Sequence, residues 1–222
     1  MAEITAAEAY DRWFDNNKPL FDSEAQAIEA QLPETWTEGV EIGCGTGKFS
    51  ERLGISRGVE PSEPMARLAE DRGVSVDQGT AEELPLTTDE VDLAALLGVV
   101  GYVADLDAVF AELARVVSPG GHAVVAFLRA NGAFAELYDT AADRGGYPDT
   151  LAWDEPYPLE MATKATWRDV ETVLSGLRSV GFTDITTTQT LTQPIGDAIE
   201  TTESPSPGHD EGSWIIVRAV RE

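Results

Sequence analysis

In the stretch Val40-Glu41-Ile42-Gly43-Cys44-Gly45-Thr46-Gly47, a short strand-like run carries an acidic residue two places before a GxGxG turn. Glycine lets a backbone turn sharply and lie against a ligand, because a Cβ atom forbids the torsions and contact distances required. Strand, acid and glycine turn together point to a nucleotide-bearing cofactor. The same glycines also occur in tight turns that bind nothing, so the flanking sequence has to decide between the two.

Two helical patterns precede this stretch, over 5–16 and 22–32, with Thr5 and Ser23 placed as N-caps and Pro33 ending the second. After it, strands are predicted over 39–42, 58–60, 74–77, 91–97 and 122–128, and helices over 48–53, 62–71 and 106–117. Ser118-Pro119-Gly120-Gly121 closes the last of these helices. Such alternation implies a parallel sheet with helices on both faces. It then breaks into a helix over 132–144, a Pro- and aromatic-rich, loop-like stretch over 146–162, a helix over 166–180 and strands over 182–190 and 213–220. The polar segment 193–212, with Pro205 and Pro207, has the length of a lid or a disordered loop. The chain contains no internal repeat and no low-complexity tract.

A chain of 222 residues suffices for one α/β core with an appended lid, so one domain is expected. Its 40 acidic and 15 basic residues give a net charge of −25, which repels nucleic acid and anionic lipid and excludes both as expected partners. Lysines occur only at Lys18, Lys48 and Lys164. A carboxylate-rich surface whose self-repulsion is screened at high ionic strength fits salt adaptation, with an ordinary acidic protein as the alternative. Cys44 is the sole cysteine, which precludes an intrachain disulfide and fits a reducing compartment. The N-terminus has no basic region followed by an apolar run, and no stretch reaches the ~18 apolar residues of a membrane span, so a soluble, cytoplasmic protein is expected. The two histidines, His122 and His209, are far apart in sequence, and no metal site is expected.

Spacing separates two cofactor readings. The dinucleotide fingerprint is GxGxxG, whereas Lys48 stands here where the third glycine would pack a helix beside a pyrophosphate. A smaller cofactor without pyrophosphate fits better, and an NAD- or FAD-linked oxidoreductase is the rival reading.

Over residues 10–220 the chain resembles the S-adenosylmethionine-dependent methyltransferases with a Rossmann-like core, in particular the large group acting on small molecules. In that family the segment matching Glu41, Gly43, Cys44, Gly45 and Gly47 wraps the methionine part of the cofactor. In Gly58-Val59-Glu60-Pro61-Ser62-Glu63-Pro64-Met65, the resemblance puts Glu60 on the ribose hydroxyls, with Pro61 beside it and Met65 against the adenine. Asp77-Gln78-Gly79-Thr80-Ala81-Glu82 looks like the segment that meets the adenine edge. Thr80 stands where many members carry an aspartate, which shifts that contact toward the Ala81 backbone. Val91-Asp92-Leu93 through Leu97-Gly98, and Leu113 to Gly121, complete the match. Tyr10-Asp11-Arg12-Trp13-Phe14-Asp15 resembles the N-terminal helix that folds over the cofactor mouth; Tyr10 and Trp13 either line the site or pack beneath it.

Methyl transfer from a sulfonium is an in-line displacement, in which a protein chiefly aligns the nucleophile and excludes water. A general base is required only if the nucleophile must lose a proton, and none is obvious. Tyr102, after the 91–97 strand, is the substrate-side candidate or a packing residue; His209 in the late loop is the other catalytic candidate, and His122 reads as a strand-edge residue. Tyr147, Trp153, Tyr157 and Trp167 form either an apolar cover over a substrate or a cluster under a loop. The Gly98-Val99-Val100-Gly101-Tyr102 segment lacks an Asn-Pro-Pro-Tyr type sequence, which argues against base amino groups and glutamine as acceptors.

The expected architecture is an α/β, doubly wound, mostly parallel seven-stranded sheet whose last strand is antiparallel by resemblance. Residues 1–36 would form a helical cap, 37–130 the cofactor-binding core, 131–165 a lid inserted after the fifth strand, and 166–222 the rest of the sheet. The resemblance implies transfer of a methyl group from S-adenosylmethionine to a small-molecule acceptor, yielding S-adenosylhomocysteine, by a monomer or homodimer. A non-catalytic protein that binds the same cofactor is the second rival.

Overall fold

The computed structural model describes residues 5–148 and 151–222. Thr5 caps α1 (Ala6–Asn16) through a reciprocal capping box with Glu8, whose carboxylate accepts the Thr5 N–H at 2.8 Å. Helix α2 (Lys18–Glu29) starts earlier than the predicted 22, because Pro19 is accommodated in its first turn, where its missing N–H costs nothing. Ser23 is therefore a buried residue inside the helix, donating to the Pro19 carbonyl at 2.7 Å, and not an N-cap.

The alternating part comprises β1 (Gly39–Ile42), α3 (Lys48–Leu53), β2 (Arg57–Val59), α4 (Glu63–Asp71), β3 (Ser75–Asp77), β4 (Val91–Leu97), α5 (Leu106–Val116) and β5 (Val117–Leu128). There follow α6 (Ala133–Arg144), α7 (Leu159–Ala162), α8 (Val170–Ser179), β6 (Phe182–Thr190), α9 (Ile195–Ala198), β7 (Ser206–Pro207) and β8 (Trp214–Arg221). All eight strands join one sheet in the order β3-β2-β1-β4-β5-β8-β6-β7. From β3 to β5 the pairing is parallel, and β8 runs antiparallel to both β5 and β6. The seven expected strands are present with the last one antiparallel; the eighth is the two-residue β7 on the outer edge of β6.

Two predicted boundaries move for physical reasons. Ser118-Pro119-Gly120-Gly121 does not separate α5 from the next strand, which begins at Val117 directly after the helix. The extra residues are absorbed as a register shift against Val91 and Leu93 of β4. The polar segment 193–212 is tied down by Glu203, whose carboxylate accepts the Thr192 N–H at 3.0 Å and hydroxyl at 2.7 Å, while its own N–H donates to Ser23 Oγ at 2.8 Å.

Apolar side chains cover both faces of the sheet. Val109, Phe110 and Leu113 of α5 and Val173, Leu174 and Leu177 of α8 fill one face; Gly176 is the point of closest approach, since a Cβ there would lie 2.1 Å from the Phe110 ring. Trp13 and Phe14 of α1, Leu20 and Ile28 of α2, Phe49 of α3, and Phe134 and Tyr138 of α6 fill the other. No helix among the described residues is long and apolar enough to cross a membrane.

Candidate active site

The glycine turn lies at the C-terminal end of β1, where α/β sheets bind ligands. Gly43, Gly45 and Gly47 have φ of +70°, +53° and +80°, torsions that side chains disfavour. Val59, at the end of β2, anchors the turn by accepting the N–H groups of Gly43 at 2.7 Å and Cys44 at 3.1 Å. Cys44 points away from the opening: a Cβ on Gly58 would meet its Sγ at 2.4 Å, and burial pushes its thiol pKa well up. Its contribution to the site is therefore backbone.

Three acidic side chains belong to this region. Glu60 is 5% exposed, and its carboxylate accepts the Gly45 N–H at 2.9 Å and the Ser62 N–H at 2.8 Å. Burial raises its pKa, and the two N–H groups oppose that rise. Glu41 is buried, receives a hydrogen bond from Ser50, and is pushed up to about 8 by desolvation. Glu24 of α2, which sequence reasoning missed, is 8% exposed and is likewise pushed up to about 8 by burial.

Helix α1 closes over the turn. A Cβ on Gly45 would sit 3.9 Å from Cε1 of Tyr10, so the tyrosine ring roofs the glycine. Polar anchors hold the helix there: Arg72, the C-cap of α4, donates to Asp11 at 2.8 Å and to the Thr46 carbonyl at 2.8 Å, and Lys48 pairs with Asp15. Lys48, the residue that breaks the dinucleotide spacing, thus fastens α1 to the start of α3. Asp11, Arg72 and Ser50 also escaped sequence reasoning, since their partners lie on separate elements.

Two adjoining cavities result. The first is bounded by Tyr10, Glu41, the Gly43–Thr46 backbone, Lys48, Phe49 and Leu97, and the buried Thr46 hydroxyl there has no hydrogen-bond partner among the described residues. The second is lined by Tyr10, Trp13, Glu24, Leu97, Gly98, Tyr102, Tyr138, Tyr157, Trp167 and Trp214, among others. The structure therefore brings Tyr10, Trp13, Glu41, Gly43, Cys44, Gly45, Leu97, Gly98 and Tyr102 to one place, with Glu60 bonded to the loop and Gly47 at the start of α3. Pro61, Met65, Thr80, Ala81 and Glu82 line neither cavity; Pro61 and Thr80 are exposed, and the Glu82 carboxylate accepts the Ala104 N–H at 3.0 Å.

Tyr102 donates to or accepts from Tyr157 at 2.8 Å, and Tyr138 stacks on Tyr157 with ring centroids 5.0 Å apart. Tyr147 donates to the Tyr157 carbonyl at 2.7 Å, and Trp153 packs against Trp13 and Phe134. His209 lies elsewhere, 3.1 Å from the Thr187 hydroxyl and beside Asp210 and α8 residues in a shallow surface depression. His122 is at the opposite, N-terminal side of the sheet in β5, paired with Val220. No group of three or more His, Cys, Asp or Glu among the described residues is arranged to hold a metal ion.

A family model described as a methyltransferase domain matches residues 40–125, from β1 into β5. The fold is similar to that of a Thermotoga maritima protein described as an S-adenosylmethionine-dependent methyltransferase and possible histamine N-methyltransferase. That similarity has a TM-score of 0.83 and 31% identity, covering 96% of this chain and 94% of that one. An uncharacterized protein of Methanocaldococcus jannaschii is 29% identical over 97% of this chain and 96% of its own length. One from Mycobacterium tuberculosis is 30% identical over 96% of this chain and 72% of its own length. The chain belongs to the S-adenosylmethionine-dependent methyltransferases, and S-adenosylmethionine is its cofactor. Membership removes the dinucleotide-dependent oxidoreductase from consideration.

Proposed function

We infer that the protein transfers the methyl group of S-adenosylmethionine to a small organic acceptor held in the aromatic cavity. The observation that carries this reading is the junction of the two cavities at Tyr10 and Leu97: one is built of the glycine loop and the Glu41 carboxyl, the other largely of aromatic rings. The residues of the first, together with Glu60 bonded to its loop, fit the cofactor. Glu60 offers two oxygens to vicinal hydroxyls, Glu41 a carboxyl to an ammonium group, and Thr46 an unpartnered hydroxyl. Pro61, Met65, Thr80, Ala81 and Glu82 continue along the C-terminal ends of β2 and β3 and would meet the adenine end.

The bound cofactor supplies an electrophilic methyl group. The chain supplies alignment and exclusion of water. Tyr10 roofs the junction with Trp13 beside it, and the described residues of 131–148 and 151–165 act as a cover, with Tyr157 and, just beyond the cover, Trp167 on the cavity wall and Tyr147 and Trp153 buttressing them. Tyr102 would lie beside the acceptor, its hydroxyl engaged by Tyr157. Formation of S-adenosylhomocysteine by the purified protein with a pool of small-molecule acceptors tests the reading. Acceptor-dependent turnover is the expected result; tight cofactor binding with no turnover across the pool would favour a non-catalytic binding protein.

A further inference from the structure

Glu24 is a feature of the aromatic cavity that packing alone does not explain. It shares a face of α2 with Leu20 and Ile28, one helical turn from each, where an aliphatic residue would bury at no electrostatic cost. Its carboxyl makes no hydrogen bond or ion pair with any described residue, and desolvation is the sole influence on its pKa. Around it are the rings of Tyr10, Trp13, Tyr138, Tyr157 and Trp214, and no Lys, Arg or His lines the cavity. The titratable groups that act with it on this space are the phenols of Tyr10, Tyr102, Tyr138, Tyr147 and Tyr157 and the Glu41 carboxyl, none of them cationic. The indole N–H groups of Trp13 and Trp214 are also buried without partners among the described residues.

An uncompensated carboxyl among aromatic faces is complementary to an organic cation with an apolar body. The carboxylate supplies the countercharge, and the ring faces attract the same charge through their quadrupoles. We propose that the methyl acceptor is an organic amine, bound as its ammonium form by Glu24 within the rings of Tyr10, Trp13, Tyr138 and Tyr157, and that Glu24 takes its proton before transfer. This rests on the aromatic cavity being the acceptor site of a methyltransferase. In the step, an ammonium N–H bond breaks, its proton passing to a Glu24 oxygen and its electron pair staying on nitrogen. The amine lone pair then forms the N–C bond as the C–S bond breaks, with that bonding pair retained by sulfur. The N-methylammonium product leaves, and Glu24 releases its proton to solvent. The raised proton affinity of Glu24 suits it to this exchange, because it narrows the gap to an amine.

The test is calorimetry in molar KCl on the protein saturated with S-adenosylhomocysteine. The probes are a panel of alkyl, aryl-alkyl and heteroaryl-alkyl amines, including 2-phenylethylamine, each beside its neutral alcohol isostere such as 2-phenylethanol. At least one amine should bind ten-fold or more tightly than its alcohol. Glu24→Gln should abolish that preference while leaving the Kd for S-adenosylhomocysteine within about two-fold, which also certifies the variant's fold. Alcohols binding as well as amines in the wild-type protein, or no amine binding at all, would overturn the proposal without need of a variant. A Glu24→Gln protein that loses S-adenosylhomocysteine instead would overturn it by moving Glu24 to the cofactor. Failure of wild-type protein to bind S-adenosylhomocysteine would overturn the methyltransferase reading, and the amine proposal with it.

Discussion

Glu60, at the end of β2, accepts the backbone N–H of Gly45 at 2.9 Å, so the carboxylate expected at the ribose is fastened to the loop expected at the methionine. The contact gives Glu60 two functions, offering oxygens to hydroxyl groups and fixing the turn. Glu60→Ala should weaken S-adenosylhomocysteine binding by about 1.5–3 kcal/mol, the range for hydrogen bonds to a charged group. Titration of the folded variant checks this, and unchanged affinity would remove Glu60 from the cofactor site.

Arg72 joins α4 to both α1 and the glycine turn through Asp11 and the Thr46 carbonyl. Arg72→Ala should release both and raise the Kd for S-adenosylhomocysteine about ten-fold, equivalent to ~1.4 kcal/mol. Protease cleavage near residues 5–16 should accelerate in parallel. Wild-type affinity and cleavage rate in the variant would show that the closed helix does not depend on this link.

Glu24 and Glu41 are both held near pKa 8 in the folded protein, above their ordinary value of 4.5. Between those values the folded state binds protons that the unfolded state has released, so stability is greatest at the acid end and falls as pH rises toward 8. Melting of the ligand-free protein in molar KCl should therefore drop from pH 5 to pH 8, on the order of several degrees. Glu24→Gln should flatten that slope, since an amide does not titrate. Glu90, held down to about 2 by the Thr87 N–H and by Arg57, acts below this window. Equal slopes in variant and wild type would contradict the assignment.

The Cys44 thiol is buried against Gly58, with its pKa driven up. Alkylation by iodoacetamide should be slow in the native protein and should follow unfolding. Fast native labelling would mean that the glycine turn opens far more readily than this packing implies.

A chain of net charge −25 with ion pairs such as Asp11–Arg72 at partly buried positions should gain stability as its self-repulsion is screened. Melting temperature should climb steeply from dilute to molar KCl. A flat curve would leave an ordinary acidic protein.

The parts of the fold that were legible in sequence are those written in local pattern. Strands β1 and β4 lie where the sequence predicts them, and β4 shows why: a buried parallel strand needs a nearly continuous apolar segment whatever its neighbours. The sequence pattern starts helix α2 late, because a proline in the first turn reads as a break although it suits that position. The order in segment 193–212 was hidden because Glu203 satisfies its bonds with Thr192 and with Ser23, 180 residues away. The loop half of the site was legible as glycines and acids at fixed spacing. Of its aromatic half, Tyr10, Trp13, Tyr102, Tyr157 and Trp167 stand out as candidates in the sequence, but Tyr138 does not, and their convergence was not legible, since Tyr10, Tyr138 and Tyr157 come from three separate segments and meet only in the folded chain. Glu24 did carry a signal: an acid on the apolar face of α2 between Leu20 and Ile28.

The most direct test of the central claim is calorimetric titration of the purified protein in molar KCl with S-adenosylmethionine, S-adenosylhomocysteine and NAD, run beside Glu60→Ala. The account predicts that both sulfur compounds bind, that NAD does not, and that the variant binds both at least ten-fold more weakly. Binding of NAD alone, or no binding of either sulfur compound to the folded wild-type protein, would contradict it.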